Sequence, residues 1–168
     1  MRKIFVVSDT HFNHGNILKF TGNDGEYIRR FDSVTDMNEC MISRWNEAVH
    51  DGDIVYHLGD VYFKNAEAAG NILRRLNGRK RLVLGNHDNG KCPVLQEHFQ
   101  KITASRMFRE YGAILTHMPI VIPGGKWTLN VHGHIHQNPS PTLRHVNVSV
   151  EAVDYTPVDI EELYERMR

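Results

Sequence analysis

Five times in this chain a short apolar run of strand type ends on Asp, Asn or His. Lys3–Val7 leads to Asp9-Thr10-His11, and Ile54–Leu58 to Gly59-Asp60. Arg81–Leu84 leads to Gly85-Asn86-His87-Asp88, Ala113–Thr116 to His117, and Trp127–His132 to Gly133-His134-Ile135-His136. One such cluster means little, because Asp and Asn are common turn residues and histidine often ends a strand. Five in order constrain the fold. In α/β sheets the loops past the carboxyl ends of strands build the ligand site, so the pattern predicts a sheet protein with one polar rim fed by five strands.

The spacing between the clusters agrees. After Thr35, a fair N-cap, Met37, Met41, Ile42, Trp45 and Val49 recur at helical spacing, and Asp51-Gly52 ends the helix. Asn65–Leu76 is a second amphipathic segment closed by Asn77-Gly78. Strand, helix, strand, helix, strand implies βαβ units and a partly parallel sheet. The second half differs. A helix at Pro93–Phe99 is followed by strands at Ala104–Glu110, Ala113–Thr116, Trp127–His132 and Arg144–Val150. Turn residues such as Gly112, Pro123-Gly124-Gly125 and Asn138-Pro139-Ser140-Pro141 separate them, which suggests antiparallel pairing. Asp159–Met167 reads as a closing helix. Ile17–Phe20 reads as a helical turn, and Thr21–Asp32, with Gly22-Asn23-Asp24-Gly25, as a loop. With no repeat or linker, residues 1–168 are expected to form one α/β domain.

Charge and cysteine narrow the classes. Twenty basic and twenty acidic residues give zero formal net charge, so no global field draws the chain to long nucleic acid. Two unpatterned cysteines, Cys40 and Cys92, lack zinc-site spacing and suit a reducing compartment. The apolar run Ile4–Val7 is too short for a signal-peptide core, and no run approaches the ~18 apolar residues of a membrane span. The expectation is a cytoplasmic protein without a membrane partner. The unusual number is eleven histidines.

Residues two apart on an extended segment point the same way, so His134 and His136 are able to face one region, with Gly133 letting backbone approach it. Asp, Asn and neutral His without thiolates suit hard or borderline metals such as Mn²⁺, Fe or Zn²⁺. Seven such groups exceed the needs of one ion and suit two sharing a carboxylate. Paired ions ~3.5–4 Å apart serve in-line displacement at phosphorus.

The ordered set Asp-x-His, Gly-Asp, Gly-Asn-His-Asp, His, Gly-His-x-His resembles the calcineurin-like metallophosphoesterases. It spans residues 9 to 136. The tracts Ser8–His14 and Asp53–Asp60 look most like the family's small bacterial and phage-type branch. The resemblance implies a four-layer α/β/β/α fold, two mixed sheets stacked face to face with helices outside. It also implies roles: Asp9, His11 and His136 on one metal, Asn86, His117 and His134 on the other, and Asp60 bridging both. A metal-bridging hydroxide would be the nucleophile, and His87 would act on the phosphoryl or leaving-group oxygen without binding metal. The expected cofactor is two divalent ions, Mn²⁺ first, with Fe, Zn²⁺ or Ni²⁺ as alternatives.

The other polar residues have blander readings. His132 precedes the Gly-His-x-His motif and is expected behind the ligands or in the core. His14, His50, His57, His98 and His145 match no ligand position. Asp88 is expected to orient a neighbour. Arg29-Arg30 reads as a solvated pair or, functionally, as a phosphate clamp on a loop. Tyr62 and Phe63 read as core or as an aromatic wall. Protein phosphatases of the family carry Gly-Asp-x-x-Asp-Arg, whereas here Gly59-Asp60 continues Val61-Tyr62-Phe63-Lys64. The expected activity is therefore hydrolysis of small phosphodiesters or nucleotides. The alternatives are a monoesterase, a nuclease, or a catalytically silent protein-binding scaffold. A small phosphate ester or nucleotide is the expected partner.

Overall fold

The structure is a computed structural model that describes residues 2–166. The last residue of the closing helix expected at Asp159–Met167 thus lies outside the described residues. β1 (Ile4–Val7), β2 (Ile54–His57) and β3 (Arg79–Val83) are parallel neighbours. They are joined through α1 (Val34–Ala48) and α2 (Ala66–Arg75). Ser33, not Thr35, caps α1. It holds the extended backbone a cap needs, and its hydroxyl accepts the Asp36 N–H at 3.1 Å. Asn65 caps α2 in the same way, through Ala68.

After α3 (Pro93–His98) a short strand not anticipated from sequence precedes the one expected at Ala104–Glu110. β4 (Ile102–Thr103) extends the first sheet beside β3, and β5 (Arg106–Phe108) opens a second sheet. That sheet continues through β6 (Ala113–Leu115), β7 (Leu129–His132) and β8 (His145–Asn147). Only β5 and β6, joined by a tight turn at Gly112, are antiparallel; β6–β7 and β7–β8 are parallel. The antiparallel expectation fails because the Pro/Gly-rich links are crossovers. Residues 116–128 and 133–144 each return the chain to the end it came from, as parallel pairing requires. A strand not anticipated from sequence, β9 (Val158–Asp159), pairs antiparallel with β1 and runs into α4 (Ile160–Arg166).

The result is two mixed sheets flanked by helices, ordered β4-β3-β2-β1-β9 and β5-β6-β7-β8. Strand alternation explains the layering. Val6, Tyr56 and Val83 face Phe108, Leu115, Leu129 and Val131 between the sheets. Phe5, Val7, Val55 and Leu82 face Met37, Met41, Trp45 and Leu73 on the helix side.

The sheets are stitched together where β1 ends. Ser8 donates its N–H to Val148 O at 2.8 Å, and Val150 N–H donates to Ser8 O at 3.0 Å. This bridge brings the loop after β1 against the segments that follow β7 and β8.

Candidate metal centre

The seven sequence-predicted ligand positions lie on loops past the ends of β1, β2, β3, β6 and β7. Two overlapping groups have donor atoms within 4.8 Å of one another: Asp9, His11 and His136, and Asp9, Asp60 and His117. Asp60 Oδ2 is the hub. His117 Nε2 lies 3.5 Å from it, His11 Nε2 3.6 Å and His87 Nε2 4.0 Å. His117 Nε2 also lies 2.8 Å from Asn86 Oδ1 and 3.2 Å from His134 Nδ1, which draws these two residues into the second group.

The donor set is arranged for a cation. His117 Nδ1 donates to Leu58 O at 2.8 Å, so a neutral ring keeps its lone pair on Nε2. That lone pair faces the amide oxygen of Asn86, an acceptor toward an acceptor. Asp9 Oδ2 accepts two bonds, from His134 N at 2.8 Å and from Ser149 Oγ at 2.9 Å. Its partner oxygen Oδ1 is buried with no donor at all. Burial lowers His134 and, aided by Arg29, pushes His11 down to about 2. Both rings are thus neutral, the form that binds metal. Burial raises the Asp60 carboxyl above the ordinary carboxylate range, with Asp9 and Asp88 adding to the rise. A buried, acceptor-rich cluster of this kind fits divalent ions.

Backbone conformation marks five of the seven ligand positions. Asp9, His11, Asp60, His134 and His136 all have φ between 46° and 71°, the left-handed region. Each such residue costs about 1–3 kcal/mol and persists only where its surroundings over-determine it. Here they do. Asp9 N–H donates to Gly59 O, His11 N–H to Asp60 O, and His134 N–H to Asp9 Oδ2. Two glycines make the close approach possible. A Cβ at Gly85 would lie 2.2 Å from Asp60 Oδ1, and one at Gly133 would lie 2.0 Å from Ser8 Oγ and 2.3 Å from Asp9 Oδ2.

The remaining predicted residues separate clearly. The His87 side chain is half exposed beside the hub. Asp88 orients the Asp60 loop: its carboxylate accepts Asp60 N–H, Val61 N–H and Gly85 N–H at 2.8–3.0 Å. His132 is buried behind Gly133, with Nδ1 donating to Gly133 O. His57 bonds Thr10 and Gly59 beneath the site. His14 faces the site instead and is stacked on Phe63 at 3.9 Å. Tyr62 turns to Cys92, 3.2 Å away.

Arg29 is neither a solvated residue nor a clamp. It is 1% exposed and points inward. It donates to Thr10 O at 2.8 Å, to Asp9 O at 2.5 Å and to Glu151 Oε1 at 2.7 Å. Arg30 is exposed and pairs with Glu26. Glu151, absent from any sequence motif, is the residue that sequence reasoning missed. Its Oε1 lies 2.9 Å from His136 Nδ1, so it accepts from that nitrogen and leaves Nε2 for the site. Burial alone would raise the Glu151 carboxyl, but Arg29 holds it below the usual range. Burial opposes protonation of His136 in turn, yet the bond to Glu151 prevails and raises it. Arg29 and Glu151 thus tie the Asp9–His11 loop to His136.

Comparison with known proteins gives a consistent picture. A family model for calcineurin-like phosphoesterases matches residues 2–166. The chain is 38% identical over 175 residues to an uncharacterized protein of Methanocaldococcus jannaschii, covering 96% of this chain and 89% of that protein. It is 26% identical to the Gene 66 protein of a Mycobacterium phage, over 88% of this chain and 83% of the other. A crystal structure of a protein of unknown function from Aquifex aeolicus superposes with a TM-score of 0.78 at 26% identity, covering 99% of this chain and 100% of its own.

Proposed function

We propose, since the chain belongs to the calcineurin-like phosphoesterase family, that it is a metal-dependent phosphodiesterase acting on small phosphodiesters or nucleotides. Metal-dependent phosphoester hydrolysis is what family membership implies; the preference for diesters is our reading. Asp9, His11 and His136 would hold one divalent ion, and Asn86, His117 and His134 a second, with Asp60 between them. When bound, such ions supply Lewis-acid stabilisation of charge on phosphoryl oxygens and lower the pKa of water. Mn²⁺ leads our candidates, with Fe, Zn²⁺ and Ni²⁺ as alternatives; a donor set of oxygens and imidazoles without thiolate suits all of these hard or borderline ions.

The chain's own residues would do the rest. His87 is within reach of the hub yet open to solvent, which suits a group that hands a proton to a departing alkoxide. Asp88 fixes the Asp60 loop and, through Gly85, the turn that carries Asn86 and His87. Glu151 and Arg29 fix His136 and the Asp9 loop.

One observation carries the diester reading. The cavity beside the ligand cluster is lined by His11, His14, Ile17, Phe20, Ile28, His87 and His136, without a lysine or arginine. With Arg29 committed to the interior, no side-chain cation among these residues serves the second charge of a monoester dianion. A diester carries one charge, which the ions and His87 would accommodate. The test compares kcat/KM for bis-p-nitrophenyl phosphate and p-nitrophenyl phosphate in Mn²⁺. The diester should be preferred. A monoester preference abolished by Arg30→Ala would refute the reading.

A further inference from the structure

The cavity beside the ligand cluster measures about 290 Å³. Ligand pockets commonly span about 300–1,000 Å³, so this one, at the lower edge of that range, has room for a single ring with its substituents. Its outer wall is made by a small hairpin. Thr21 pairs with Tyr27, Gly22 N–H donates to Glu26 O at 2.8 Å, and Ile28 N–H donates to Phe20 O at 2.9 Å. The hairpin contributes Phe20 and Ile28 to the cavity, and the turn before it contributes Ile17. Phe20 is left 48% exposed and Tyr27, on the same hairpin, 57%, although large apolar side chains are usually covered.

His14 completes an aromatic corner. Its Nδ1 accepts the Ile17 N–H at 3.0 Å, its ring stacks on Phe63 at 3.9 Å, and its edge meets Phe20 at 5.8 Å. The lining holds no carboxylate, lysine or arginine that would recognise a polyol or a second charge. Ile17, Phe20, Ile28 and the face of His14 make an apolar and aromatic wall suited to a flat ring, while His11, His87 and His136 on the other side belong to the ligand cluster.

We propose that this cavity is a subsite for one aromatic ring of the substrate, so that the esters taken are aryl or nucleoside esters rather than small alkyl or glycerol-type ones. The proposal rests on the phosphoesterase reading for its neighbouring phosphate and deepens it by naming the substituent. Phe20 is the specificity residue, since it offers an exposed aromatic face at the cavity mouth.

Titration calorimetry in Mn²⁺ with three singly charged diesters, methyl phenyl phosphate, thymidine 5′-methyl phosphate and dimethyl phosphate, tests it. The phenyl diester should bind about tenfold tighter than dimethyl phosphate, a difference of about 1.4 kcal/mol. Phe20→Ala should bring that ratio near one, and Phe20→Leu should leave it intermediate. Phe20 is half exposed, so neither change empties the core. A gain shared by the thymidine diester identifies the ring as a nucleobase; a gain with the phenyl diester alone identifies a free aryl ester. Equal affinities in the wild type, or a ratio unchanged in Phe20→Ala, would overturn the subsite even in an active enzyme. A ratio that holds while no diester is hydrolysed would sink the phosphodiesterase reading instead and leave the subsite standing.

Discussion

Replacing Arg29 by Met should unfold the protein more readily long before it alters substrate affinity. Arg29 and Glu151 are both buried and bonded at 2.7 Å, and the same guanidinium serves the carbonyls of Asp9 and Thr10. Removing one partner of a buried pair costs about 3–5 kcal/mol, because the other charge is left without compensation. For a chain of this size each kcal/mol moves Tm by about 2–4 °C, so the expected fall is about 6–20 °C. The assay is thermal and urea unfolding in EDTA, which separates the effect from metal loading. Adding Glu151→Gln to Arg29→Met should recover about 0.5–3 kcal/mol, since the orphaned carboxylate is gone. A Tm within 2 °C of wild type, together with a raised KM for phosphate esters, would refute the reasoning and return Arg29 to the role of a substrate clamp.

Other outcomes follow from the same geometry. Asp60→Asn should lose bound Mn²⁺ and activity together, measured as metal stoichiometry and rate on one preparation; retained activity would rule out Asp60 as the shared ligand. His87→Ala should keep its metal while kcat for an alkyl leaving group falls about 10²–10⁴-fold, with p-nitrophenyl esters losing less because their leaving group needs little protonation. Loss of metal in that variant would make His87 a ligand. His57 predicts a pH effect. Burial, aided by His117, pushes its ring down to about 3, and its Nδ1 accepts the Gly59 N–H. Between that value and the ordinary 6.5 the unfolded chain holds a proton that the folded chain refuses. Stability of the metal-free protein therefore rises with pH across this window, by up to about 1.4 kcal/mol per pH unit from this residue. Urea midpoints at several pH values should show a shallower slope in His57→Gln, and an unchanged slope would remove His57 as the cause.

What could be read from sequence was whatever is local. Asp9, Asp60, Asn86, His117, His134 and His136 sit next to their strands, and each motif carries its own turn residues. The parallel pairing of β6, β7 and β8 was hidden because a crossover loop and a hairpin loop share the same Pro, Gly and Asn. β4, just before the strand expected at Ala104–Glu110, had no local signal either, since it is only two residues long. Glu151 and Arg29 were invisible for a different reason. They are 122 positions apart, and nothing near either shows that it is buried against the other. An Arg-Arg pair beside a Gly-Asn-Asp-Gly turn looks solvated until the fold turns one of the two inward.

The left-handed backbone at Asp9, His11, Asp60, His134 and His136 has an evolutionary consequence. At these five positions the backbone alone would adopt its conformation with less strain as glycine. At Asp9, Asp60 and His136, however, glycine would also strand the His134 N–H and the His87 N–H and deprive the buried Glu151 carboxylate of a donor. Trading the donors for a relaxed backbone is therefore open chiefly at His11 and His134, and a chain that keeps all five must find that stability elsewhere. The pinning network of Ser149, Asp88, Glu151 and Arg29 is where this chain finds it. Glycine scanning of the five positions, read as metal-free Tm against metal occupancy, would trace that opposition residue by residue.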